Sequence, residues 1–207
     1  MSEEQTAPEP EIHLTKDEVN ALPLGRYEGP VKVVTTREQL GPAMKWLKGE
    51  AVLGFDTETR PCFRKGQSNR PALLQLCGSK GAVLISLRAL GLPDAVVALL
   101  EDEKVVKAGV AIAFDVRQLQ ELRPFEPAGF VDVADVAKPL GFKNQGLRGL
   151  GAVLLGIRIP KGARTSNWER EDLTEAQVSY AATDAWMSRE IYRLLKERGG
   201  QAGTAEG

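Results

Sequence analysis

The sequence predicts an α/β domain, and three observations carry that expectation. Short apolar runs bounded by turn residues crowd the first half, a strand-helix-strand pattern fills the middle, and capped helices close the chain. At 207 residues the chain has room for one domain with a substantial core. No run approaches the ~20 apolar residues of a membrane span, so no membrane partner is expected. The acidic, apolar-poor N-terminus does not look like a signal peptide, which points to a cytoplasmic protein.

Residues 1 to 11 are rich in Glu, Pro and Ala, bury too little apolar surface to offset ordering, and are expected to be disordered. Thr15-Lys16-Asp17-Glu18 has the form of a capping box and opens a short helix ending by Pro23. The expected organisation is a largely disordered acidic tail over 1–20, a folded domain over 21–198 and a flexible tail over 199–207. Residues 31–34 read as the first strand. Thr36-Arg37-Glu38-Gln39 caps an amphipathic helix in which Leu40, Ala43, Met44 and Leu47 recur at helical spacing until Gly49. Residues 51–55 form a buried apolar strand that runs into Asp56-Thr57-Glu58.

Residues 59–71 carry two prolines and the bases Arg60, Arg64, Lys65 and Arg70, with no acid. This stretch is either a solvated loop or positive charge placed for a phosphate-bearing substrate. Residues 72–77 and 82–86 read as a hairpin across Gly78-Ser79-Lys80-Gly81. A helix over 94–100 and a strand over 105–110 follow. Val116, Leu119 and Leu122 then define a helix face, with Asp115 near the helix start, where the dipole favours its charge. Residues 130–133 are a last short strand, and 134–140 and 147–155 are helical, with Gly156 a stop. The segment from Lys161 to Trp168 breaks the pattern with two bases, three polar side chains and an aromatic that is either core or a stacking platform. Thr174-Glu175-Ala176-Gln177 caps the final helix, which Gly199-Gly200 should end.

Composition narrows the chemistry. The net charge is −1, and removing the four acids of residues 1–11 leaves +3, which argues against a strongly basic nucleic-acid binder. His13 is the single histidine, so histidine metal sites and triads have almost nothing to work with. Cys62 and Cys77 are too far apart in sequence for a Cys-x-x-Cys pair; core packing for Cys77 and an unbridged thiol at Cys62 are expected. Catalysis must rest on carboxylates, hydroxyls or a metal. Because strand side chains alternate, Asp56 and Glu58 share a face while Thr57 points to the other. Such a pair is either two solvated charges or a site waiting for a cation or a shared proton. Tyr180 and Asp184, four residues apart, lie on one helix face about one turn from each other.

Phe55-Asp56-Thr57-Glu58, Gly109-x5-Asp115-x3-Leu119 and Tyr180-x3-Asp184 together resemble the three exonuclease motifs of the DEDD superfamily in its tyrosine-containing branch, which includes ribonuclease D and Werner-type exonuclease domains. The resemblance runs from about Val31 to Arg193. Ala72-Leu73-Leu74-Gln75-Leu76, and Thr165-Ser166-Asn167-Trp168 ahead of Tyr180-Ala181-Ala182-Thr183-Asp184, look closer to the Werner-type subgroup. It implies a ribonuclease-H-like fold, a mixed sheet flanked by helices, and 3′-5′ hydrolysis of DNA or RNA to nucleoside monophosphates. It also implies two divalent cations, Mg2+ or Mn2+, suited to oxygen ligands. Asp56 would bridge both ions, Glu58 and Asp184 would complete the site of the attacking water, and Asp115 would serve the ion near the leaving 3′ oxygen. Tyr180 would orient the water. Thr57, Arg60, Arg64, Lys65, Lys161, Arg164 and Trp168 are the implied contacts to the nucleic-acid end. With Arg198 so near the last residue, the helical nucleic-acid-binding domain that follows the nuclease in ribonuclease D is not expected. Two other readings stand beside this one: a nucleic-acid-binding module with a degenerate site, and a metal phosphatase for small molecules. Oligomeric state is not legible.

Overall fold

A computed structural model describes residues 12–62, 69–160 and 162–202. The expected disorder of residues 1–11 lies outside them. In chain order the elements are α1 (Lys16–Ala21), β1 (Val31–Val34), α2 (Arg37–Leu47), β2 (Val52–Thr59), β3 (Pro71–Cys77), β4 (Ala82–Ser86), α3 (Leu87–Leu90), α4 (Asp94–Leu100), β5 (Val106–Gly109), α5 (Ala113–Leu122), β6 (Phe130–Asp132), α6 (Val133–Ala137), α7 (Leu147–Leu155) and α8 (Glu175–Ala202). The strands form one mixed sheet in the order β1-β4-β3-β2-β5-β6. β3 runs antiparallel to β2 and β4, and the other neighbours pair parallel. The expected mixed sheet flanked by helices is therefore the observed one. No helix among the described residues is long and apolar enough to cross a membrane.

The alternation of β2 separates two faces. Leu53 and Phe55 point into a core with Leu74, Leu76, Val83 and Ile85, covered by Leu47, Leu100, Val116 and Leu119 from α2, α4 and α5. The opposite face lies under α8, which packs on β2 and β3. There Gly54 meets the helix backbone: a Cβ at Gly54 would overlap the Ala185 carbonyl. α8 also closes a second core, in which Met187, Ile191 and Leu195 pack with Leu150, Ile159 and Val133.

Four boundaries differ from expectation. β2 continues through Thr59, so Asp56 and Glu58 sit inside a strand rather than where one frays; residues 56–59 pair with β3, with a register shift between Glu58 and Thr59. α8 runs past Gly199-Gly200 to Ala202, because an interior glycine costs only about 1 kcal/mol and a long helix is already nucleated. The short helix α3 follows β4 directly, its N-terminus capped by Ser86. Part of the segment assigned to the tail is seated on the body: Ile12 bridges Phe142, and the Leu14 amide donates to Asn144 Oδ1 at 2.9 Å. The expected capping box of α1 is present. Beyond it, Leu24 bridges Arg158, and the Arg158 Nε donates to the Leu22 carbonyl at 2.9 Å. This strap reaches α8 where the Tyr27 amide donates to Thr183 Oγ1 at 2.9 Å.

Candidate active site

The site forms where the C-terminal end of β2 meets the early turns of α8. Asp56 and Glu58 project toward α8, and Tyr180 and Asp184 project back from adjacent turns of it. One carboxylate oxygen from each of Asp56, Glu58 and Asp184 lies within 4.8 Å of the others. Glu58 and Asp184 are buried and Asp56 is half-buried. Asp115, in the first turn of α5, stands outside this three-oxygen group. Its Oδ1 accepts a hydrogen bond from the Thr57 hydroxyl. Thr57 points away from Asp56, as alternation requires, and the face it reaches is the one α5 covers.

Crowding and burial decide the electrostatics. Burial, then the charges of Asp184 and Asp115, push Asp56 well above the usual carboxylate range. Burial, with Asp56 next, pushes Glu58 up to about 9. Asp184 is raised by burial, against the Tyr180 hydroxyl and then the Arg148 and Arg164 charges, which favour its ionised form. Asp115 is raised by burial and partly restored by Thr57. Burial and the neighbouring Asp184 hold the Tyr180 phenol protonated, well above its ordinary range. Buried carboxylates this close bind protons or cations. Asp184 Oδ1 is buried and has no hydrogen-bond partner among the described residues. That orphaned oxygen, in a set of hard oxygen donors, fits a hard divalent cation.

The approach to the site is held by the capping glutamine of α8. Gln177 Oε1 accepts from the Thr174 amide at 3.0 Å, while its Nε2 donates to Ser166 Oγ at 2.9 Å and to the Asn167 carbonyl at 3.1 Å. A cavity of about 1110 Å³ opens beside this turn, walled by Arg26, Ser166, Gln177, Thr183, Tyr180 and Asp184.

The implied substrate contacts fare unevenly. Arg164 is exposed and its charge reaches Asp184. Arg60 pairs with Glu169 at 3.0 Å, joining the end of β2 to the segment ahead of α8. Arg64, Lys65 and Lys161 lie outside the described residues. Trp168 is a correction: at 2% exposure it packs with Leu73, Leu84 and Ala181, its ring centroid 6.1 Å from that of Tyr180. It offers no open face for a base to stack on, because the turn that carries it folds over β3 and β4. Cys77 is core, its thiol pushed up to about 12 by burial, and Cys62 is exposed.

Three neighbours of the site were given no role by the sequence reading. Arg148 of α7 donates to the Ile159 carbonyl beside the cavity. Phe114, next to Asp115, is 53% exposed. Gln75 is fully buried opposite Asp56; an amide in the middle of an apolar strand was the signal available.

A family model described as a 3′-5′ exonuclease matches residues 31–199. The chain belongs to this 3′-5′ exonuclease domain family, of the DEDD type, whose members use divalent metals. Over 159 residues it is 37% identical to the bifunctional 3′-5′ exonuclease/ATP-dependent helicase WRN of Mus musculus, covering 73% of this chain and 11% of that protein. Over 176 residues it is 35% identical to a ribonuclease D of Gluconacetobacter diazotrophicus, covering 83% and 44%. The chain thus spans less than half the length of these two relatives. The EXO domain of Nibbler from Aedes aegypti has the same fold, with a TM-score of 0.75 at 20% identity over 86% of this chain and 94% of that one. The fold is ribonuclease-H-like, as the motifs implied.

Proposed function

We propose that the protein hydrolyses phosphodiester bonds from the 3′ end of DNA or RNA, releasing nucleoside monophosphates with two bound Mg2+ or Mn2+ ions. The observation that carries this reading is the convergence of the Asp56, Glu58 and Asp184 oxygens within 4.8 Å, with Asp184 Oδ1 left unpartnered. When bound, the cations lower the pKa of water and stabilise charge on the attacking and leaving oxygens. Asp56, Glu58 and Asp184 would hold them from two elements that meet closely at Gly54. Asp115 contributes from the α5 side, its carboxylate oriented by Thr57. Tyr180 stays protonated and acts as a hydrogen-bonding group that orients the attacking water rather than as a base. Arg148 and Arg164, whose charges reach Asp184, supply positive potential for the substrate phosphates.

Matched DNA and RNA oligonucleotides carrying a 5′ label test this directly. With Mg2+ or Mn2+ the label is expected in a ladder of progressively shorter products, and Asp56→Ala, folded by circular dichroism, is expected to leave the substrate intact. Full-length substrate in every metal, single-stranded or recessed, overturns the proposal. Undiminished cleavage by Asp56→Ala overturns the site assignment.

A further inference from the structure

We propose that Gln75 is a positioning residue for metal binding, its buried amide bracing the Glu58 carboxylate that holds the cation. This inference rests on the metal-dependent reading of the site.

Every residue of β3 is buried, and Gln75 is the one amide in its run Pro71-Ala72-Leu73-Leu74-Gln75-Leu76-Cys77. The register sets Gln75 opposite Asp56 and Leu73 opposite Glu58. Gln75 is thus the direct cross-strand neighbour of one carboxylate and the diagonal neighbour of the other, within reach of long side chains. All three share the face under α8. Gln75 is 0% exposed, and neither its Nε2 nor its Oε1 has a hydrogen-bond partner among the described residues. Its amide is near enough to favour the ionised form of Glu58, although no aligned hydrogen bond is formed.

Several other buried polar side chains among the described residues are satisfied. Lys107 Nζ donates to the Leu99 and Asp102 carbonyls, Thr183 Oγ1 to the Ser179 carbonyl, and Gln177 to Ser166 and Asn167. The buried side-chain atoms without a partner among the described residues are those of Gln75, Asp184 Oδ1 and Trp168 Nε1. They gather at the carboxylates and the layer beside them, Trp168 packing on Leu73, the next residue along the same face of β3. An unpaired buried amide opposes folding, and an apolar residue of similar shape does not carry that cost. Since Gln75 bonds to no backbone group, it is not a brace for the fold. Its amide instead offers a donor on the same sheet face as carboxylates whose geometry must be fixed to hold a cation, as groups that hydrogen-bond metal ligands do.

Gln75→Met keeps length and volume without the amide, and Gln75→Leu is a second apolar replacement. Thermal melting in chelator and Mn2+ binding by electron paramagnetic resonance are measured on both and on the unaltered protein. The expected result is a melting temperature equal to or above that of the unaltered chain, with Mn2+ binding weakened about 10- to 100-fold. Mn2+ binding within twofold of the unaltered protein overturns the role of Gln75. So does a fall in melting temperature in both variants with Mn2+ affinity unchanged, which marks a structural residue. Failure of the unaltered protein itself to bind Mn2+ removes the metal reading and this inference with it, an outcome the first measurement reveals separately.

Discussion

Gly54→Ala tests the coupling between the sheet and α8. The new methyl group would occupy the space of the Ala185 carbonyl oxygen and crowd the Arg189 amide. Both are backbone atoms of α8, so no side-chain rotation relieves the overlap. Restoring a normal contact of about 3.5 Å moves the helix away from β2 by on the order of 1 to 2 Å. Asp184 follows Ala185 in that movement, and its carboxylate leaves the 4.8 Å group with Asp56 and Glu58. Displacements of about 1 Å cost on the order of 100-fold in rate, and overpacking costs about 1 to 3 kcal/mol of stability. The expectation is therefore a loss of at least about 100-fold in kcat and a melting temperature lower by roughly 2 to 12 °C. Single-turnover cleavage of a labelled oligonucleotide and differential scanning calorimetry measure the two. Gly199→Ala is the control: near the C-terminal end of α8, with no atom within 4 Å of the new Cβ, it should add up to about 1 kcal/mol and leave kcat unchanged. Full activity and an unchanged melting temperature in Gly54→Ala refute the reasoning.

Further predictions follow from the site and its surroundings. Glu58, with Asp56 and Asp184, has a folded pKa above its unfolded value, so the folded state binds more protons between the two values. This contribution is present at acid pH and lost as pH rises from the ordinary carboxylate range toward about 9: in chelator the melting temperature should fall over that window, less so in Asp56→Asn, and Mn2+ should raise it most at the alkaline end. A chelated melting temperature that is flat or rising across the window contradicts the crowding of the carboxylates. Lys107→Met leaves the Leu99 and Asp102 carbonyls without their donor and should cost about 1 to 3 kcal/mol in urea unfolding, with kcat retained by the folded fraction. Trp168→Phe should leave the KM for an oligonucleotide within twofold, because the ring it shortens is enclosed; a large rise in KM would reinstate Trp168 as a base contact. Trp168→Ala should cost about 3 to 5 kcal/mol.

The central arrangement was legible because it depends on periodicity. Alternation placed Asp56 and Glu58 on one face, helical spacing placed Tyr180 and Asp184 on one stripe, and both pairs now face each other. What periodicity could not supply was which helix covers which face. The placement of Thr57 on the face opposite Asp56 was correct, but its meeting with Asp115 depends on α5 packing there. The end of β2 was misread because Thr57, Glu58 and Thr59 are polar, whereas their strand geometry is set by pairing with Leu74, Leu73 and Pro71. Trp168 lies among polar residues, and its burial comes from Leu73 and Leu84, far away in sequence. Gln75 broke an apolar run in plain view, yet its meaning depends on the register that sets it against Asp56.

The most direct test of the account uses an oligonucleotide labelled within its 3′-terminal nucleotide, incubated with the protein and Mg2+ or Mn2+. The earliest labelled product should be a nucleoside monophosphate, absent in chelator and absent with folded Asp56→Asn. Label released as inorganic phosphate or as longer fragments, or retained on the full-length strand, would contradict a 3′-5′ exonuclease built on Asp56, Glu58 and Asp184.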